Sequence, residues 1–257
     1  EGAFTLNGMP QKDAQDLFTL IEKFAGYAFN KSHSAAYALI SYQTAYLKQY
    51  YEIEFMASLL STEMKTQDNV VRYIQSCRER DIQILSPDVN QSERDFSVVP
   101  VENNSKHTYG ILFGMGGIKG VGNAAIDAIC EARTKHGGSF GSIYGFCELV
   151  DLRKVNKKVM EALVKSGAMD QFKQHRSQLF EVIPRALETG QRMQKDLASG
   201  QTNLFGAFAA TINPNTITHS TVDETYPDIE DWPEKLKLRN EKDALGFYIS
   251  GHPLKRY

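Results

Sequence analysis

Gly117-Ile118-Lys119-Gly120-Val121-Gly122 runs directly into Asn123-Ala124-Ala125-Ile126 and a helical pattern. Glycines at 117, 120 and 122 let the main chain turn tightly and approach a ligand closely, because no Cβ stands in the way. A helix starting near Asn123 would aim its unpaired N–H groups back into the turn. Those donors and the helix dipole together attract phosphate, and Lys119 adds a positive charge at the tip. Two readings fit the spacing. One is the hairpin of a helix-hairpin-helix, which grips the DNA backbone without reading bases; the other is an ordinary Gly-rich turn between a strand and a helix. A GxGxxG-like string alone does not choose between them.

The rest of the composition narrows the field. At 257 residues and 42 % hydrophobic content, the chain can bury a core and form one large or roughly two to three small domains. No apolar stretch approaches the ~20 residues that span a bilayer, and the N-terminus shows no basic-then-apolar signal pattern. Cys77, Cys130 and Cys147 are odd in number and far apart, which argues against a disulfide framework or zinc site and fits a reducing cytoplasm. The histidines show no metal-ligand spacing with Cys, Asp or Glu. With a net charge of -2, any DNA contact must come from local patches. The chain opens on Glu1 without Met and ends at Tyr257 after Gly251-His252-Pro253, as expected of a piece of a longer polypeptide.

Apolar spacing of three and four predicts helices over 14–24, 34–50, 52–64 and 67–80, the last with Val70, Val71, Ile74 and Cys77 inward. Alternation over 95–101 and 108–113, around Glu102-Asn103-Asn104-Ser105, predicts a β-hairpin. Further helices are expected over 123–135, 140–149, from an Asn156 cap to Ser166, over 175–198 and over 233–246. The Asn/Thr/Ser/Pro-rich stretch from Gly200 to about Thr225 reads as a linker. Residues 117–130 and 151–164 both read as turn, then helix, which is the signal of tandem helix-hairpin-helix units with a second member lacking Gly-x-Gly. The expected fold is mainly α, with a small β-hairpin.

Phe24-Ala25-Gly26-Tyr27-Ala28-Phe29-Asn30-Lys31-Ser32-His33-Ser34-Ala35-Ala36-Tyr37-Ala38-Leu39 resembles the fingers signature of the C-family replicative DNA polymerases of bacteria. Ser41 to Thr44, Tyr50 to Met56, Tyr109 to Gly122, Val155 to Asp170 and Leu245 to Leu254 continue the resemblance in the family's order and spacing. It covers nearly the whole chain, leaving 210–232 unmatched. The resemblance implies the following organisation: the C-terminal part of the fingers over 1–88, a β-hairpin with tandem helix-hairpin-helix over 89–175, a polar helix and linker over 176–225, and the start of a further domain over 226–257. In this family the palm carries aspartates that hold two Mg²⁺ ions for nucleotidyl transfer. No Asp-x-Asp occurs here. The parent is therefore expected to be an enzyme, and this chain alone is expected to be inactive and to hold no cofactor.

The resemblance places the helix of Lys31, Ser32, His33 and Tyr37 over the nascent base pair. Lys31 offers a mobile charge to a triphosphate, Ser32 and His33 can donate to phosphate or sugar oxygens, and Tyr37 offers a ring for stacking. By residue type alone the same helix could be a capped core helix in which Tyr37 packs. Tyr42, Tyr46, Tyr50 and Tyr51 read as core and rim. Gly117, Ile118, Lys119, Gly120, Val121, Gly122 and Asn123 are expected to hold duplex primer-template, independent of sequence. Lys157, with Lys154 and Lys158, would charge the second hairpin or simply form a solvated helix face. Gln201-Thr202-Asn203-Leu204-Phe205 resembles the peptide by which bacterial replication proteins bind the sliding clamp. Leu204 and Phe205 would fill an apolar pocket there with Gln201 at its rim, or else anchor the linker on its own domain. A deoxynucleoside triphosphate is the remaining partner implied for the full polymerase. A stand-alone helix-hairpin-helix module of the repair type is the alternative to the replicative reading.

Overall fold

The structure, a computed structural model, describes residues 8–27, 31–101, 108–199, 224–251 and 253. It divides into two compact units, residues 1–52 and residues 53–257. The first contains α1 (Gln11–Tyr27) and α2 (Lys31–Tyr50). Ala14 is buried, whereas α2 has no buried residue and exposes Tyr37, Leu39, Ile40, Tyr42, Tyr46 and Leu47. Tyr42, Tyr46 and Tyr50, expected in the core or at its rim, instead form an exposed ladder with ring centroids 6.4 and 4.6 Å apart. The reason is distribution: the apolar residues of α2 are spread around the helix rather than gathered in the single stripe that a packing partner needs.

The second unit opens in α3 (Glu52–Thr62), from Ile53 onward, and continues into α4 (Gln67–Arg78). Met56, Ala57 and Leu60 of α3 join Val70, Ile74 and Cys77 of α4 in the same core as the later helices. Residues 53–88, expected to belong with the fingers segment, thus pack with the residues that follow them. Val71, expected inward, is exposed. The β-hairpin forms as β2 (Ser97–Pro100) antiparallel to β3 (Tyr109–Leu112). The sheet has a third strand, β1 (Ile84–Leu85), which runs parallel to β3 on its other edge. A parallel pair needs a crossover of a dozen or more residues, and this one passes through the buried Ser92. Its hydroxyl donates to Phe113 O at 2.9 Å and accepts from Asp88 N at 2.9 Å.

After β3 come a short 3₁₀ turn (Met115–Gly117), α5 (Asn123–Lys135), α6 (Ile143–Leu149), α7 (Lys157–Ser166), α8 (Arg176–Ala198) and α9 (Glu234–Leu245). Among the described residues the fold is mainly helical with one small sheet, as expected. α8 is the spine, packing against α6 and α7, while α9 closes on α7. Gln194 of α8 donates from Nε2 to the carbonyls of Cys147, Glu148 and Val150 (3.0, 3.2 and 2.8 Å), satisfying the end of α6. Gly190 permits the close approach, since a Cβ there would collide with the Cys147 carbonyl. Gly→Ala inside a helix ordinarily stabilises by about 1 kcal/mol. Here the sign is expected to reverse, Gly190→Ala costing about 1–3 kcal/mol, read as a lower urea midpoint at unchanged m-value.

Candidate nucleic-acid interface

The first hairpin is built by alternation of anchors and exposed tips. Ile118 and Val121 are buried, 2 % and 7 % exposed, and Lys119, Gly120, Gly122 and Asn123 lie at the surface. Full burial of each aliphatic side chain contributes about 1.5–3 kcal/mol, which pins the turn to the core from beneath. The turn closes through Val121 N–H to Ile118 O at 3.2 Å. Gly120 sits at φ +88, in the left-handed region that favours glycine. Gly117 serves a different purpose: it is half-buried, and a Cβ there would press on the Phe113 ring. Of the residues expected to hold DNA, Gly117, Ile118 and Val121 therefore support the hairpin, while Lys119, Gly120, Gly122 and Asn123 present it.

Gly122 is the N-cap of α5 and supplies no side-chain acceptor. Among the described residues, the N–H groups of Gly120, Gly122, Asn123 and Ala124 have no protein acceptor. That leaves a cluster of exposed donors at a helix start, beside Lys119. The Lys119 N–H is not one of them, because it donates to Ala244 O at 2.8 Å, near the end of α9. A segment far away in sequence thus latches the hairpin.

The second hairpin repeats the anchors at the same register. Leu152 and Val155 are buried where the first has Ile118 and Val121, and Asn156 caps α7 where Gly122 caps α5. The buried stripe also repeats, with Val159, Met160 and Leu163 standing for Ala125, Ile126 and Ile129. The tips differ in chemistry. Asn156 Oδ1 accepts from Val159 N at 3.2 Å, which removes one donor from the α7 start. Arg153, Lys154, Lys157 and Lys158 are exposed, and Lys157 stands 3.9 Å from Glu161. Arg153 forks onto Asp151 (Nε–Oδ1 2.9 Å, Nη2–Oδ2 2.9 Å), and that hydrogen bonding holds the Asp151 carboxyl below its ordinary value. Gly120 faces Ala162 of α7 at 3.8 Å from an ideal Cβ, so the two repeats abut.

Lys31, Ser32, His33 and Tyr37 lie together in the first two turns of α2, with the His33 and Tyr37 rings 4.3 Å apart. Lys31 and His33 are exposed, as is Tyr37. Gln201, Leu204 and Phe205 lie outside the described residues. Burial pushes the Cys147 thiol up to about 12, and burial with the nearby Glu93 carboxylate pushes Cys130 to about 11, so neither favours the thiolate. Arg153 and the α9 latch went unnoticed in the sequence. The fork to Asp151 could have been found from the Asp-x-Arg spacing, but nothing local marks the latch.

Residues 81–179 match the family model described as "Helix-hairpin-helix motif". The chain is 40% identical over 251 residues to DNA polymerase III subunit alpha of Vibrio cholerae, a match covering 98% of this chain and 20% of that protein. The Escherichia coli K12 subunit gives the same figures, 40% over 251 residues with 98% and 20% covered. That of Xylella fastidiosa is 38% identical over 257 residues, covering 100% of this chain and 20% of the relative. The chain thus spans about one fifth of the length of these curated relatives. Across nearly its whole length the chain is similar to one stretch of DNA polymerase III subunit alpha, and within that stretch residues 81–179 carry a helix-hairpin-helix motif.

Proposed function

We propose that this chain is the part of a bacterial replicative polymerase that holds duplex primer-template by its backbone and tethers the enzyme to its sliding clamp. The observation that carries the duplex-holding part of this reading is the exposed donor cluster of Gly120, Gly122, Asn123 and Ala124 beside Lys119, with buried anchors beneath it; the tether rests on the resemblance of Gln201-Thr202-Asn203-Leu204-Phe205 to a clamp-binding peptide. Backbone donors and lysines recognise phosphate whatever the base sequence, so they position a duplex without reading it. The first hairpin contributes mostly N–H groups and the second mostly charge, Lys157 among it. The first unit contributes Lys31, Ser32, His33 and Tyr37 to the nascent pair and the incoming triphosphate. Within the second unit, residues 89–175 carry the two hairpins that hold the duplex, 176–225 the polar helix and tether, and 226–257 the segment whose α9 packs back on the hairpin core. Gln201, Leu204 and Phe205 engage the clamp, in the bacterial cytoplasm.

Nucleotidyl transfer belongs to the parent polymerase and its palm-bound Mg²⁺. Among the described residues no group of three His, Cys, Asp or Glu side chains is placed to hold a metal ion. The repair-module alternative has no use for the α2 cluster or the Gln201 peptide.

One set of titrations tests the reading. Duplexes of unrelated sequence are expected to bind equally, with log Kd rising linearly in log salt by about 0.9 per contacted phosphate. Sliding clamp is expected to bind saturably, and a Gln201→Ala/Leu204→Ala/Phe205→Ala variant to lose the clamp while keeping the duplex. Sequence-dependent or salt-independent duplex binding would overturn the first role, and an unchanged clamp isotherm the second.

A further inference from the structure

Beside the first hairpin lies a cavity of about 140 Å³, walled partly by the hairpin and partly by residues outside the stretch that matches the helix-hairpin-helix model. Its walls are Met64, Lys65, Gln67 and Val70 from α4 and its approach, Gly117 and Lys119 from the hairpin, and Leu245 from α9. At ~30 Å³ per water this is room for about four or five waters, and so for a phosphate group of five heavy atoms. Two cationic side chains and one amide line it, and no carboxylate does. Lys65 and Lys119 are both exposed, and neither forms an ion pair with a described carboxylate. The nearby Glu63 is engaged by Asn69 Nδ2 at 2.8 Å. Asp68, in the first turn of α4, is outside the lining.

The site is also held in shape. Gly246, at φ +90, makes room for the Gln67 side chain, which a Cβ at that position would strike. The Lys119 N–H bond to Ala244 O keeps the hairpin wall against α9. Two like charges sharing a cavity without a carboxylate repel each other and are stabilised by a shared anion.

We propose that this cavity seats one phosphodiester of the duplex, next to those gripped by the hairpin tip, between Lys65 and Lys119 with the Gln67 amide as a further donor. The proposal rests on the duplex-holding reading of the hairpin and extends the footprint onto α4, which carries no helix-hairpin-helix signature.

The test is the salt dependence of duplex affinity for the 257-residue chain and for its Lys65→Gln, Lys65→Arg, Lys119→Gln and Lys65→Gln/Lys119→Gln variants, between about 50 and 200 mM salt. Lys65→Gln is expected to flatten the log–log slope by about 0.9, the double variant by about 1.8, and Lys65→Arg to keep the parental slope. A Lys65→Gln slope equal to that of the parent, with Lys119→Gln still flattened, overturns the cavity site and leaves the hairpin reading intact. Absence of salt-dependent duplex binding in the parent chain overturns both. Equal flattening by Lys65→Arg and Lys65→Gln also overturns the site, since it would show that the charge itself is not what the duplex contacts.

Discussion

Gly122→Asp is expected to raise the stability of this chain while weakening its hold on duplex DNA by roughly ten- to a hundredfold. The opposite signs follow from one position. Gly122 caps α5 at φ -82 and ψ 160, a conformation open to any residue, and a Cβ there meets nothing within 4 Å. An aspartate can therefore cap the helix as Asn156 caps α7, gaining a few tenths of a kcal/mol over glycine and about 0.3–1 kcal/mol more from its charge at the positive helix end. The same carboxylate occupies donors that would otherwise meet phosphate, and it sets a negative charge against the backbone. Hydrogen bonds to charged groups contribute about 1.5–3 kcal/mol each, so losing one accounts for the expected drop. Gly120→Val is the companion: at φ +88 a β-branched residue is strained by about 1–3 kcal/mol, so stability and binding should fall together. Thermal melts and duplex titrations of the two variants separate the cases. A Gly122→Asp protein that is more stable and binds as tightly as the parent would show that the α5 donors are not the contact.

The hairpin was legible in the sequence because its information is local. Glycines at 117, 120 and 122, the start of α5 at Asn123 and the Asn156 cap all act within a few residues, and the structure has each of these boundaries. The repeat was legible too, although as turn-then-helix rather than as the recurring pair of buried anchors. What escaped was non-local. The alternation over Asp81 to Ser86 marks the place of the two-residue strand Ile84–Leu85, but alternation along a strand does not say which partner it takes, so the parallel pairing with β3 across the sheet from β2 could not be read from it. The latch from Lys119 N–H to Ala244 O joins backbone groups, and backbone groups leave no mark in a residue pattern. Lys65 looks like any surface lysine until α4, the hairpin and α9 close around one cavity. The glycines carried a subtler ambiguity. Gly117 is small for the sake of the Phe113 ring, and Gly120 for its backbone conformation; a sequence shows both simply as glycine.

The largest loss of stability is expected from Arg176→Met. Arg176, at the start of α8, pairs with Asp170 (Nε–Oδ1 2.8 Å, Nη2–Oδ2 2.7 Å) and reaches Glu241 of α9 from Nη1 at 2.9 Å. Burial alone would lower the Arg176 pKa, but the Asp170 and Glu241 carboxylates outweigh it and hold it above its ordinary value. Glu241 is fully buried, and its second oxygen accepts from the N–H groups of Ile249 and Ser250 at 3.0 and 3.1 Å. Removing the guanidinium leaves a buried carboxylate with backbone donors and no cation, which costs about 3–5 kcal/mol. Arg176→Met/Glu241→Met removes both charges and is expected to recover much of that loss, because a buried pair replaced by apolar side chains is often near neutral. The consequence extends to the interface, since Ala244, whose carbonyl holds the hairpin, lies on α9 between Glu241 and the Ile249 and Ser250 N–H groups that Glu241 secures. Below its melting temperature the Arg176→Met chain should bind duplex more weakly than the parent, and the double variant should regain affinity along with stability. If the two losses separate, with stability falling by the full amount and duplex affinity unmoved, the hairpin holds its shape through Ile118 and Val121 alone.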